Sequence, residues 1–218
     1  MKRFTKEQAM QYLQRQGVAF LGFIIMAFGV SLFLLVELGG DPGQVFADGV
    51  HKHLGITNGM AITLLHASFF VLLLIFQRRL VRLDMLIPTF VTGPIIDLFM
   101  FLLKGYISPD LPIAARILSS FIGCIFLGMG LCFYLNSHTG TAPMDCFAII
   151  LSEKAHIKLG YARIVQDATY FVLGFLLGGT YGIGTVFAVL LTGLYINLFT
   201  KIGNKTLFKW AGIVHNVE

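Results

Sequence analysis

The chain has 218 residues, of which 56% are hydrophobic and 12% charged, and its formal net charge is +5. Soluble domains carry about 25% charged residues, so too few polar groups remain to coat a water-facing surface, and lipid is the solvent implied for much of it. The basic surplus is explained by its distribution along the chain, as set out below, and gives no ground for nucleic-acid binding.

In chain order, Thr5-Lys6-Glu7-Gln8 has the form of a capping box. It predicts a short helix to about Arg15, with residues 1–16 lying on the cytoplasmic membrane surface and Phe4, Tyr12 and Leu13 dipping into the headgroups. No Asp, Glu, Lys or Arg occurs in Gln16–Val36, Gly59–Gln77 or Ile117–Met144. Met85–Leu103 carries Asp97 alone, and Ile164–Thr200 carries Asp167 alone, divided at Gly178-Gly179-Thr180-Tyr181-Gly182. A hydrocarbon core needs roughly 20 helical residues, which predicts spans near 16–37, 59–77, 84–104, 115–137, 161–178 and 181–201. The first is too long for a secretory signal and lacks a small-residue cleavage pattern. Period-2 alternation is missing, so a barrel is not expected. Residues 203–218 form a cytoplasmic tail, with Phe208 and Trp210 as interfacial anchors. Cys124, Cys132 and Cys146 have no metal-binding spacing and read as small buried residues. No metal site and no cofactor is expected.

With six spans, 13 of the 16 Lys and Arg fall on one side of the membrane, and Lys52, Lys104 and Arg116 on the other. The positive-inside bias then places both termini in the cytoplasm.

The chain also repeats itself. Shifted by 101 residues, Phe20–Leu72 overlays Phe121–Leu173 without a gap, with 16 identities in 53 pairs. Gly22 meets Gly123, Gly29 meets Gly130, Gly39 meets Gly140, Pro42 meets Pro143 and Gly59 meets Gly160. After a one-residue slip, Thr92-Gly93 meets Thr192-Gly193, and Asp97 meets Asn197. Each copy holds three spans, 17–104 and 105–202, so the second enters the membrane from the opposite side. The expected fold is an all-α integral membrane protein of two inverted-topology three-helix repeats, an arrangement common in alternating-access transporters.

Each repeat is punctuated after its first span, by Gly39-Gly40-Asp41-Pro42 and by Thr139-Gly140-Thr141-Ala142-Pro143-Met144-Asp145. Glycine stops a helix and proline suits the first turn of a new one. Short helices are predicted over about Pro42–Leu54 and Pro143–His156, either re-entrant or flat on the surface. Helix N-termini carry free N–H groups and partial positive charge, so Gly39, Pro42, Gly140, Pro143 and Asp145 are binding candidates.

These Gly/Pro elements, together with Gly178-Gly179-Thr180-Tyr181-Gly182-Ile183-Gly184-Thr185 and Gly193, give the chain its likeness to known proteins. Over roughly 17–202 it resembles the YczE/YyaS/YitT family of bacterial multi-pass membrane proteins. The resemblance implies a bacterial plasma-membrane location and supplies no substrate. A Pro-Trp-Asp frequent in that family stands here as Pro143-Met144-Asp145, without the aromatic.

Ionisable groups inside spans are functional candidates. Asp97 lies about 18 Å along the third span at 1.5 Å per residue, and a buried carboxylate there can take a proton or a cation. Asp167 follows Arg163 by four residues, at ion-pair spacing on one helix face. Its repeat mate is His66, and Asn197 is the mate of Asp97. His66 and Asp97 are expected beside the outer loop, Asp167 and Asn197 beside the inner one, as two gates. Gly93 and Gly193 read as hinge or packing positions.

The function expected is secondary transport of a small polar or charged solute by alternating access, with proton coupling compatible with the acidic groups. The alternatives are a substrate-binding subunit energised by a separate partner, a passive channel, or a non-transport membrane partner protein. No nucleotide-binding, GxSxG or HExxH motif occurs, and the histidines are scattered, so an enzyme is not expected. The partners expected are the bilayer, a small polar solute or ion, and a second copy or partner subunit.

Overall fold

The computed structural model describes residues 6–137, 139, 141–203 and 208. Eight α-helices follow one another: α1 Lys6–Val36, α2 Pro42–Leu54, α3 Asn58–Phe76, α4 Leu86–Leu103, α5 Ile113–Asn136, α6 Cys146–Ala155, α7 Leu159–Leu176 and α8 Ile183–Gly203. No strand occurs among the described residues. Segments of α1, α3, α4, α5 and α8 are long and apolar enough to cross a membrane. The seventh helix has 18 residues, roughly 27 Å, but Arg163, Gln166 and Asp167 lower its mean hydropathy.

The helix expected at the N-terminus and the first span are one continuous helix, α1. Between Arg15 and Val18 stand only Gln16 and Gly17, and neither breaks a helix that tertiary packing holds. The two short helices after the Gly/Pro elements are present. Asp41 caps α2, its Oδ1 accepting from the N–H groups of Gly43 at 2.8 Å and Gln44 at 3.2 Å, with Pro42 in the first turn. Pro143–Asp145 form a 3-10 turn that runs into α6. Gly55 and His156 end α2 and α6 in the same left-handed conformation, at φ 66° and 54°.

The centre of the molecule is the antiparallel crossing of α1 and α5. A Cβ on Gly22 would lie 2.8 Å from the carbonyl oxygen of Gly130, and one on Gly123 would lie 2.9 Å from that of Gly29. A Cβ on Gly29 would lie 2.6 Å from the oxygen of Gly123, and one on Gly130 as close to that of Gly22. Backbones approach this closely only where no side chain intervenes. Helix α4 packs beside α1, α8 beside α5, and α3 against α4. Around this crossing lies the main core, including Ala27, Phe33, Ile96, Leu127 and Tyr170. Phe76, Phe90 and Phe101 on α3 and α4 face outward, as do Val189, Leu190 and Leu194 on α8. That much exposed apolar surface marks contact with lipid.

The outer pairs of helices differ. Gly59 of α3 and Gly93 of α4 press backbone on backbone, so a Cβ on either would collide with the other's helix. Gly160 of α7 and Gly193 of α8 have nothing within 4 Å of a Cβ position.

Candidate functional site

Both Gly/Pro elements pack against α7. α2 packs along the second half of α7: Gly174 meets Val45, Gly49 meets Gly174 and Leu177, and Phe46 stacks on Tyr170 at 5.8 Å between ring centroids. The Asp48 carboxylate accepts the N–H of Thr180 at 2.6 Å. The N-terminus of α2 therefore points inward, and Pro42 lines a crevice with Asp167, halfway along α7, and with Thr185 of α8.

The second element approaches from the other end of α7. The Gln166 side chain accepts the N–H of Ala148 at 2.8 Å, and the Tyr170 hydroxyl donates to the carbonyl of Met144 at 2.9 Å. The Tyr134 hydroxyl accepts the N–H of Ala142. Pro143 and Met144 are buried here, and the Met144 methyl lies 4.0 Å from a Cβ position on Gly43. The tips of the two Gly/Pro elements thus meet in mid-molecule. α2 has 13 residues, a length of about 20 Å.

Ionisable groups collect where the tips meet. Arg163 donates to Asp145 at 2.9 Å and faces Asp167 at 3.4 Å. Asp41 lies within the field of both Arg163 and Asp145. Burial pushes its carboxyl above the usual value of 3.8, against the amides of Gln44 and Gly43 and the charge of Arg163. Two carboxylates, Asp145 and Asp167, therefore flank one guanidinium with Asp41 nearby, and a bound cation or proton would offset their surplus of negative charge. His66, on α3, is within range of Asp145 and has a buried Nδ1 with no hydrogen-bond partner among the described residues.

The residues singled out in the sequence divide accordingly. Asp145, Pro143, Pro42, Asp167 and His66 converge on the junction. Gly39 sits above it in left-handed backbone, φ 81°, against Tyr181 and Gly182. Gly140 lies outside the described residues. Asp97 is elsewhere, at the N-terminus of α3, accepting the N–H of Gly59 at 2.8 Å and the hydroxyl of Thr57 at 2.5 Å. Gly93 packs beside it, while Asn197 and Gly193 are exposed on α8. The two-gate grouping is not the observed one: His66 faces the second Gly/Pro element, and Asp167 faces both. Sequence reasoning passed over Asp41, Gln44 and Tyr170. For Asp41 the available signal was its place as the cap before proline.

A Bacillus subtilis protein described as uncharacterized protein YyaS is 28% identical over 182 residues, 84% of this chain and 90% of its own. YczE of the same organism, described as an uncharacterized membrane protein, is 28% identical over 178 residues, 81% of each chain. A Haemophilus influenzae protein described as uncharacterized is 26% identical over 178 residues, 82% of this chain and 79% of its own. No solved structure matches the chain. The model of one family, described as a family of unknown function, DUF6198, matches residues 13–201, so the chain is a membrane protein that belongs to that family.

Proposed function

We propose that the chain is a secondary transporter that moves a small polar or charged solute by alternating access, with the junction of the two broken helices as its solute and proton site. The observation that carries this reading is the approach of the two Gly/Pro elements at Gly43 and Met144, beside Asp145, Arg163 and Asp167, with Pro42 lining the Asp167 crevice. Broken helices ending at mid-depth beside charged side chains are the form that solute sites take in many transporters.

The proposal includes α7 as a sixth span and the two halves as inverted repeats. The crossing of α1 and α5 supports this: Gly22 pairs with Gly130 and Gly29 with Gly123, so replacing each glycine of one pair by its repeat mate gives the other pair. A two-fold relation produces that exchange. Matching contacts recur outside the crossing. The His51 ring contacts the Ile56 carbonyl, and the Ser152 hydroxyl donates to the Ile157 carbonyl at 2.7 Å, both residues of each pair being repeat mates. The plasma membrane, with both termini cytoplasmic, is proposed from the basic residues. Arg79, in the connection after α3, pairs with Glu153 of α6, which supports a single basic end. The tie to the YitT branch rests on the same Gly/Pro motifs.

The test is uptake of labelled polar metabolites into proteoliposomes, with and without an imposed proton gradient. Uptake above that of empty liposomes is expected, with at least a ten-fold loss in Arg163→Gln. A variant that folds, binds and transports like the wild type removes the junction from the mechanism. If nothing is taken up and the protein co-purifies with an ATPase, the binding-subunit alternative replaces this reading.

A further inference from the structure

A second cavity, about 360 Å³, lies between α1, α2 and α4 and the connection at Thr180. That volume is within the range of small-molecule sites. Gln44 forms part of its wall and bonds to Asp41, which caps the helix that Pro42 opens, so the cavity adjoins the junction.

The polar atoms of this wall are unevenly used. Gln44 is 5% exposed, and its Nε2 donates to Asp41 at 2.6 Å. That bond fixes the amide orientation, since a flipped amide would set oxygen against carboxylate oxygen. The remaining Oε1 is buried beside Gly40 and has no hydrogen-bond partner among the described residues. The Oδ1 of Asn58, on the same wall, is also buried without a partner among them. His51 has its Nδ1 committed to the carbonyl of Ile56, so its Nε2 is an acceptor in the neutral ring. Glu37 adds a carboxylate, exposed and held at φ 51°. Lys52, by contrast, spends its three donors on Asp48 at 2.9 Å, Thr180 at 2.5 Å and Gly178 at 3.3 Å. The wall therefore holds acceptors without partners among the described residues, while its lysine is already committed. Phe33, Val45 and Met100 supply apolar surface beside these acceptors.

We propose that this cavity binds a small primary ammonium compound, whose N–H groups reach Gln44, Asn58 and Glu37 and whose short apolar body lies on Phe33 and Met100. A buried acceptor without a partner costs free energy, and a donor-rich cation supplies the partner. An anion finds no free donor on Lys52. The proposal rests on the transporter reading, because it names the class of solute that this cavity would admit.

The probes are n-propylammonium, tetramethylammonium (a cation without N–H groups) and propionate. Each is titrated against the detergent-solubilised full chain, with thermal stabilisation as readout, and propylammonium uptake is followed separately in proteoliposomes. Saturable stabilisation by propylammonium alone is expected, with Kd raised about ten-fold or more in Asn58→Leu and Glu37→Gln, the weight of one charge-assisted hydrogen bond. The Glu37 carboxylate makes no hydrogen bond or ion pair among the described residues, so its variant stays informative if Asn58→Leu misfolds. Equal stabilisation by tetramethylammonium, none by propylammonium, or unchanged affinity in Glu37→Gln overturns the assignment and leaves a water-filled cavity, whatever uptake shows. Binding that depends on both residues without uptake upholds the cavity and overturns transport of this solute class.

Discussion

At the residue scale, Asp97 shows how one carboxylate can serve two purposes. Its depth in an apolar run marks it as an ion or solute ligand, yet both its oxygens are taken. One accepts the N–H of Gly59 and the other the Thr57 hydroxyl, which itself accepts from Met60 at 3.1 Å. The carboxylate thus completes the N-terminal cap of α3 from a neighbouring helix and adds a negative charge at the positive end of that helix. Asp97→Asn keeps one acceptor and is expected to fold with a stability loss of about 1 kcal/mol, while Asp97→Ala loses about 2 kcal/mol by stranding the Gly59 N–H. Thermal melts in detergent measure both, and uptake in Asp97→Asn should stay within about two-fold of wild type. A folded Asp97→Asn protein without uptake would return Asp97 to the solute pathway.

At the element scale, α2 is placed by its two ends. Asp41 holds its N-terminus at the junction, and Asp48 and Lys52 tie its outer half to the connection at Gly178–Thr180. Burial raises the Asp48 carboxyl, but the Thr180 amide and hydroxyl and the Lys52 ammonium outweigh it and hold the group below its usual 3.8. A folded-state value below the unfolded one gives stability that is present above the unfolded value and lost as pH falls through the folded one. Asp41 has the opposite sign, so its contribution to stability falls as pH rises through its window. The contribution of Asp48 is isolated by comparison with Asp48→Asn, which keeps an acceptor for Thr180 and loses the charge. The wild type should melt higher at neutral pH, and the two curves should start to approach one another below about pH 4 and meet only below the folded-state value. A gap that persists at acid pH would show that the tie is not ionic. The bounds of α2 were legible because Asp41-Pro42 and Gly55 are local signals, and the long helices because charge-free runs are local too. The continuity of α1 was not, since Gln16-Gly17 reads as a boundary without being one. The junction was half legible. The spacing of Arg163 and Asp167 lies within one helix, but their meeting with Asp145, 18 residues before Arg163, and with Asp41, more than a hundred residues away, depends on packing between segments.

At the scale of the whole molecule, the proposed repeats are alike in sequence and unlike in posture. Gly59 and Gly93 are closed on one another, and Asp97 braces them; their mates Gly160 and Gly193 stand open, with the Asp167 crevice between α7 and α8. If the halves are inverted copies, exchanging their postures produces a second conformation that opens α3 from α4 and closes α7 on α8. The two conformations would differ in which side of the junction is covered, which is what alternating access requires. The exchange makes the two contacts compete. A methyl group in Gly93→Ala collides with the backbone of α3, so it disfavours the posture seen here and raises the population of the other. The pair Gly160→Cys with Gly193→Cys reports that second posture. Oxidation should link the pair slowly in an otherwise wild-type chain and several-fold faster when Gly93→Ala is added, with uptake arrested until the disulfide is reduced. If Gly93→Ala lowers the melting temperature and leaves the linking rate unchanged, the asymmetry is a fixed feature of the fold, and the gap between α7 and α8 is a surface for lipid or a partner helix rather than a gate.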